Sequence, residues 1–393
     1  MASPAEDEWD DQVEESKSVT PEEVARAVVT GTDWTTETIL SQLRRGNIQL
    51  NPRFQRRDAW DATRKSRFIE SLLLNLPIPQ LVLAEDRTRR GAFVVLDGKQ
   101  RLLSIRQFAV GSSVDNDGQD YERLRLRGIE TRSDLAGASL ASLEQDEQKL
   151  DDLNAFLNQT IRTVVVRNWP NEAFLHDVFL RLNTGSVSLS PQELRQALHP
   201  GPFTDFVDDY SANSIQIRKA LNLKKPDFRM RDVEVALRFF AFNLFWSDYR
   251  GELKDFLDDT TGRLNAEWET GGRESQVTEL AEACDTAIET TFSIFGKNAF
   301  RRWTGKSYIS TFNRAVFDVM TFYFKLPKVR ERVIGREADV EDAFKALCGD
   351  PAFTNAIQTT TKTIAATQLR LLMWGEALKT VVGSEVVQSA KQE

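Results

Sequence analysis

The stretch Phe93-Val94-Val95-Leu96-Asp97-Gly98-Lys99-Gln100-Arg101-Leu102-Leu103-Ser104-Ile105 constrains this chain more than any other. Four apolar residues rich in Val read as a buried strand. Asp97-Gly98 is a turn signal, and Leu102, Leu103, Ile105 and Phe108 then recur at helical spacing. A helix that opens straight from a glycine has free N–H groups at its start, which attract anions such as phosphate. Lys99 and Arg101 stand beside that start, and Gln100 can orient a water or a substrate oxygen. The same residues also fit a purely structural role. Asp97 is then an N-cap, Gln100 occupies the capping-box position, and Arg101 is a solvated charge. Spacing alone leaves both readings open.

The sequence before this unit predicts a short helix over 18–29, where Thr20-Pro21-Glu22-Glu23 supplies cap, proline and acids. A second helix is expected over Thr36–Arg45 and a third over Asp61–Leu74, the latter with Phe68, Ile69, Leu72 and Leu73 inward. Between them, Ile48 to Arg56 reads as a short strand entering a proline-marked loop. Strands are expected at Gln80–Ala84 and Ile161–Val166. The intervening residues 111–155 are polar and read as a surface insertion with a weak helix over Ala141–Leu157. Phe174–Leu182 has helical spacing and stops at Asn183-Thr184-Gly185. Ser190-Pro191-Gln192-Glu193 opens a further helix with cap, proline and capping-box acid.

A domain boundary is placed near His199-Pro200-Gly201-Pro202. Beyond it strand signals nearly vanish, and Val233–Trp246, Val277–Phe295, Tyr308–Leu326, Val340–Leu347 and Thr361–Val382 all read as helices. Trp246, Phe256, Trp303, Phe312 and Phe317 are better read as packing than as platforms for bases. The expected organisation is an acidic, disordered tail over 1–30, an α+β domain over 31–200 and an all-α domain over 201–393.

Charge is unevenly spread. Residues 1–25 hold nine acids and one base, which leaves the rest of the chain balanced at 50 acids and 50 bases. Arg44 to Arg67 carries Arg44, Arg45, Arg53, Arg56, Arg57, Arg64, Lys65 and Arg67 against only Asp58 and Asp61. That run is either a phosphate- or DNA-facing surface or a solvated helix face. Arg53, Arg57, Arg64 and Lys65 are the candidate DNA contacts.

Several chemistries are excluded. Only His176 and His199 occur, neither with a metal-spaced partner, and two cysteines supply no zinc site or disulfide framework. Walker A, dinucleotide-glycine and Gly-x-Ser-x-Gly patterns are absent. A site built here must work with carboxylates, Gln, Lys and Arg, a set that suits phosphate chemistry with magnesium. With no long apolar run and no signal peptide, a cytoplasmic protein without membrane partners is expected.

Three stretches together carry a family resemblance. They are Asn51-Pro52-Arg53-Phe54-Gln55-Arg56 with Trp60, Leu96-Asp97-Gly98-Lys99-Gln100-Arg101-Leu102, and Phe179-Leu180-Arg181-Leu182-Asn183-Thr184-Gly185 leading to Leu189-Ser190-Pro191-Gln192-Glu193-Leu194-Arg195. In this order they resemble the ParB/sulfiredoxin-like domain that opens GmrSD-type modification-dependent restriction enzymes and SspE-type phage-defence proteins. The resemblance implies nucleoside triphosphate binding and hydrolysis with Mg2+. It implies that Asp97 holds magnesium or the attacking water, Gln100 orients the water and Arg101 neutralises phosphate. Gln55, Arg56, Gly98, Lys99, Arg181 and Asn183 would complete the nucleotide pocket. Lys99 departs from the pattern, which has Gln there. Residues 203–393 contain no histidine, so the expectation is a chain lacking the family's His-Asn-His nuclease and working with a separate nuclease or defence partner. A DNA-binding adaptor without turnover and a DNA-nicking ParB-like enzyme are the alternatives.

Overall fold

A computed structural model describes residues 20, 22, 25–48, 50, 57–114, 121–182, 190–269, 272–358 and 363–383. Most of the acidic tail, and the Asn51–Arg56 and 183–189 parts of the family motifs, lie outside the described residues. Two compact units divide the chain, one over 15–198 and the other over 199–393.

The first unit holds a mixed four-stranded sheet. It begins with β1 (Val28–Thr35), α1 (Thr36–Arg44), α2 (Ala62–Leu73), β2 (Leu81–Glu85), β3 (Phe93–Asp97) and α3 (Lys99–Ala109). It continues with α4 (Leu140–Glu144), α5 (Leu150–Asn158), β4 (Thr160–Arg167), α6 (Glu172–Leu182) and α7 (Pro191–Leu198). The strand order is β1-β4-β2-β3, with β4 antiparallel to β1 and parallel to β2, and β2 antiparallel to β3. Val82, Ala84, Leu96 and Val166 pack with Trp169, Phe174, Leu175 and Leu194, so α6 and α7 cover one face. The alternate positions Leu81, Leu83, Val95 and Val165 are buried too. Because successive side chains point to opposite faces, both faces of the β2, β3 and β4 part of this sheet are covered, whereas β1 is mostly exposed.

Two expectations are corrected here. Val28 and Val29 do not end a helix but start β1, pairing with Arg167 and Val166 of β4. The β-branched run Val28-Val29-Thr30 suits a pleated edge better than a helix. Ordered structure thereby reaches into the stretch assigned to the tail. The expected surface insertion over 111–155 is corrected too, from residue 121 onward. Tyr121, Leu124, Leu126, Ile129, Leu135, Leu140, Leu143 and Phe156 are buried. Their backbone is tied to α2 and α3: Leu124 N donates to Gln107 O, Arg127 N to Ser66 Oγ and Arg132 N to Glu70 Oε1.

The second unit is helical: α8 (Pro202–Asn213), α9 (Ile215–Ala220), α10 (Arg231–Leu244), α11 (Leu253–Glu269), α12 (Glu274–Phe295), α13 (Arg314–Phe324), α14 (Pro327–Val333), α15 (Glu337–Leu347), α16 (Pro351–Gln358) and α17 (Ile364–Val382). Phe203, Phe240, Phe317, Phe324, Phe344 and Trp374 are fully buried in its core. Mixed α/β structure followed by helices agrees with the α+β reading. Among the described residues no helix is long and apolar enough to cross a membrane.

Gly98 links β3 to α3 at φ +102°, and a Cβ there would sit 2.3 Å from Leu81 Cδ2. Gly98→Ala should therefore lose about 1–3 kcal/mol to backbone strain and more to the clash, read from urea unfolding. Gly91→Ala, also at positive φ but with nothing within 4 Å, should lose only the strain. Equal losses at the two positions would reject the close approach of Leu81.

Candidate functional site

The site grows from the first turn of α3. Gly98 is its N-cap residue, in the left-handed region, and no side chain caps the helix. Asp97 is therefore not the side-chain cap that spacing allowed. Asp97 Oδ2 instead accepts from Arg101 Nη2 at 2.7 Å. This bends the guanidinium back over the glycine, where a Cβ would lie 3.3 Å from Arg101 Nε. That Nε is buried and has no hydrogen-bond partner among the described residues.

Three consecutive side chains leave the turn toward three different elements, as about 100° of rotation per residue requires. Arg101 returns to the end of β3. Gln100 Oε1 accepts from the backbone N of Trp60, at 3.4 Å, in the loop before α2. Lys99 Nζ donates to Glu193 Oε1 of α7 at 2.7 Å, and both side chains are only 7% exposed. Glu193 also accepts from Ser190 N through its other oxygen, while Ser190 Oγ accepts from Glu193 N. The expected capping box of α7 is thus present, and its acid has a second task.

A second buried charge lies alongside. Lys65 Nζ donates to Asp58 and, at 2.7 Å, to Gln107 Oε1 of α3. Burial pushes the Asp58 carboxyl above the ordinary carboxylate range, against the pull of Lys65 and Lys99. Its Oδ1 is buried without a hydrogen bond among the described residues. Sequence reasoning passed over both Asp58 and the Lys99 partner Glu193. Asp58, one of only two acids among the Arg53–Lys65 bases, was the available signal for the first.

Of the remaining predicted residues, Arg57 and Lys65 are buried and do not offer their charge to a DNA backbone. Arg64 is exposed and lies over the Trp60 ring at 4.8 Å. Arg181 is exposed on α6 and pairs with Asp177 at 3.0 Å. Arg53, Gln55, Arg56 and Asn183 lie outside the described residues.

The Lys99–Glu193 pair joins the second motif to the Ser190–Glu193 part of the third, and residues 36–200 match the family model of the GmrSD restriction endonuclease, N-terminal domain. The segment is a GmrSD-type N-terminal domain. A domain of this type points to restriction-type defence. No curated protein and no solved structure matches the chain. Within the GmrSD-type domain, Asp97 is a carboxylate beside the start of α3. It is part-exposed, only its Oδ2 is engaged by Arg101, and oxygen is the donor magnesium prefers.

Two measurements test the buried charges. Lys99→Met should cost about 3–5 kcal/mol in urea unfolding, because it strands Glu193 in the interior. Lys99→Met with Glu193→Met should recover a large part of that loss, and strict additivity would reject the coupling. For Asp58 the raised value means that, above the ordinary 3.8, the folded chain keeps a proton the unfolded chain has lost. Its contribution to stability therefore falls as pH rises through that window. Wild type should lose stability relative to Asp58→Asn as pH rises above the ordinary carboxylate value of 3.8; parallel profiles would contradict this.

Proposed function

We propose that the protein binds and hydrolyses a nucleoside triphosphate with Mg2+, within a restriction-type defence system, through a ParB/sulfiredoxin-like domain over 31–200. The observation that carries this reading is the uncapped start of the eleven-residue helix α3 with the Arg101 guanidinium folded over it, its Nε buried and unpartnered among the described residues. Backbone N–H groups at a helix start and an arginine fork together favour phosphate. Arg101 has donors beyond the one spent on Asp97, so it can hold a phosphate while staying anchored. Gly98 keeps the backbone bare at the point of approach. Gln100, steadied by Trp60 N, presents its amide nitrogen to a water or a phosphate oxygen. Asp97 would hold magnesium, whose charge when bound offsets that of the phosphates. Gln55, Arg56, Arg181 and Asn183 belong to the same reading through their motifs.

Residues 201–393 contain no histidine, which supports a separate nuclease partner rather than a His-Asn-His nuclease within that stretch. A second reading, binding without turnover, is favoured by one observation. The Lys99 ammonium is engaged by Glu193 inside the fold, at the position where the family resemblance expects Gln.

Phosphate release from ATP, GTP, CTP and UTP with magnesium separates these readings. Turnover in wild type that falls about 100-fold or more in Arg101→Ala is expected. A silent wild type that gains activity as Lys99→Gln favours binding without turnover. Silence in all variants rejects hydrolysis.

A further inference from the structure

In the helical unit most interior arginines are neutralised. Arg238 and Arg370 share Asp318, Arg314 pairs with Glu234, and Arg231 with Asp227. Eight other bases depart from this pattern. Residues 215–226 carry Arg218, Lys219, Lys224 and Lys225, and residues 296–310 carry Lys297, Arg301, Arg302 and Lys306, with no acid in either stretch. Among the described residues none of the eight forms an ion pair. In a chain of net charge −8 this is a marked local excess.

The two stretches meet at the C-terminal end of α12. Lys219 Nζ lies 4.1 Å from the Phe292 ring centroid, and Phe292 packs edge-on against Phe300 at 6.0 Å. Leu223 N donates to Arg218 O, which folds the Lys224-Lys225 loop back beside α9. Lys297 follows α12 directly, and a Trp303–Tyr308 bridge closes the loop that bears Lys306 at its tip. Lys219, Lys224, Lys225, Lys297 and Lys306 are exposed. Acids do approach one flank, where Glu341 accepts from Tyr308 OH and Lys345 pairs with Glu341 and Asp342. Glu289 is exposed one turn before Phe292. They leave the Lys219–Lys225 side and the Lys306 tip uncompensated. A helix C-terminus attracts a cation or two within its last turn, which accounts for Lys297 but not for the other seven.

We propose that this basic rim around the end of α12 binds the phosphate backbone of duplex DNA. The choice of DNA rests on the restriction-type reading above; the surface itself rests only on the charges. Exposed lysines on two loops make point contacts with phosphates and carry no base readout, so binding is independent of sequence and strongly dependent on salt. The rim thereby holds the protein on DNA without bringing nucleotide chemistry to it.

The test is fluorescence anisotropy of a labelled duplex with the full-length protein over a range of salt. Lys224→Ala, Lys225→Ala, Lys297→Ala and Lys306→Ala combined should lower the slope of log K against log salt by about 3–4, near 0.9 per lost contact. Affinity at moderate salt should fall at least ten-fold. Lys328→Ala with Arg332→Ala removes exposed charge from α14 and should change the slope little. Phosphate release without DNA should be the same in wild type and the four-lysine variant, so that failure of hydrolysis and failure of this surface are read separately. Circular dichroism confirms that the variant is folded. Absence of duplex binding in wild type at low salt, an unchanged slope in the four-lysine variant, or tighter binding to RNA than to DNA of equal length would overturn the proposal.

Discussion

Two opposite charges held away from water, Lys99 and Glu193, are the interaction on which the sheet-bearing unit's candidate site depends. Removing either charge is costly, because it leaves the other desolvated without its ionic partner in this pair. The pair joins the first turn of α3 to the first turn of α7, ninety-four residues apart in sequence. Glu193 is already fixed by its exchange with Ser190, so it arrives as a rigid acceptor rather than a swinging side chain. The lysine therefore orients the helix start on which Gln100 and Arg101 sit. Its charge is spent on the fold, which separates its role from that of Arg101, whose guanidinium retains donors beyond its bond to Asp97.

How much of this was legible depended on how local each cause is. The capping box at Ser190–Glu193 is contained in four residues, and it is present as spacing required. The strand–glycine–helix sequence around Gly98 is also local and was readable. The role of Asp97 was not, since a cap and a partner for Arg101 demand the same residue at the same place. Only the left-handed backbone of Gly98, which takes the N-cap position for itself, separates them. β1 was misread because its partner β4 lies about 130 residues away; Thr20-Pro21-Glu22-Glu23 is a strong local helix signal, and the pairing of Val28 with Arg167 is invisible to it. Residues 121–132 were misread because polar and charged residues alternate there with single apolar ones. Tyr121, Leu124, Leu126 and Ile129 are buried one at a time rather than as a recognisable stripe.

The helical unit was the easier half, because apolar residues at three- and four-residue spacing need no distant partner to declare a helix. Its interior polar chemistry was not readable in that way. Arg238 and Arg370 both point at Asp318 from different helices, and burial draws the Arg370 guanidinium down to about 10, with Asp318 opposing the shift. Two arginines on one carboxylate stay charged at neutral pH and tie α10, α13 and α17 together. The contrast with the unpaired bases at the end of α12 is what gives that rim its meaning. In the same unit, arginines taken out of water are matched with acids, whereas those bases are left facing it.

The order of the four strands has a consequence for how the chain is made. β4 is the last strand to leave the ribosome, yet it lies between β1 and β2. During synthesis β2 and β3 can form a hairpin, but β1 has no neighbour and the Leu81–Ala84 edge stays open until residue 167 has emerged. Long-range pairing of this kind is slow and leaves apolar edge exposed meanwhile. Glu193 is later still. The nascent domain thus carries Lys99 without Glu193 through most of its assembly, and the helix start gains that tie only as the last helix of that domain docks.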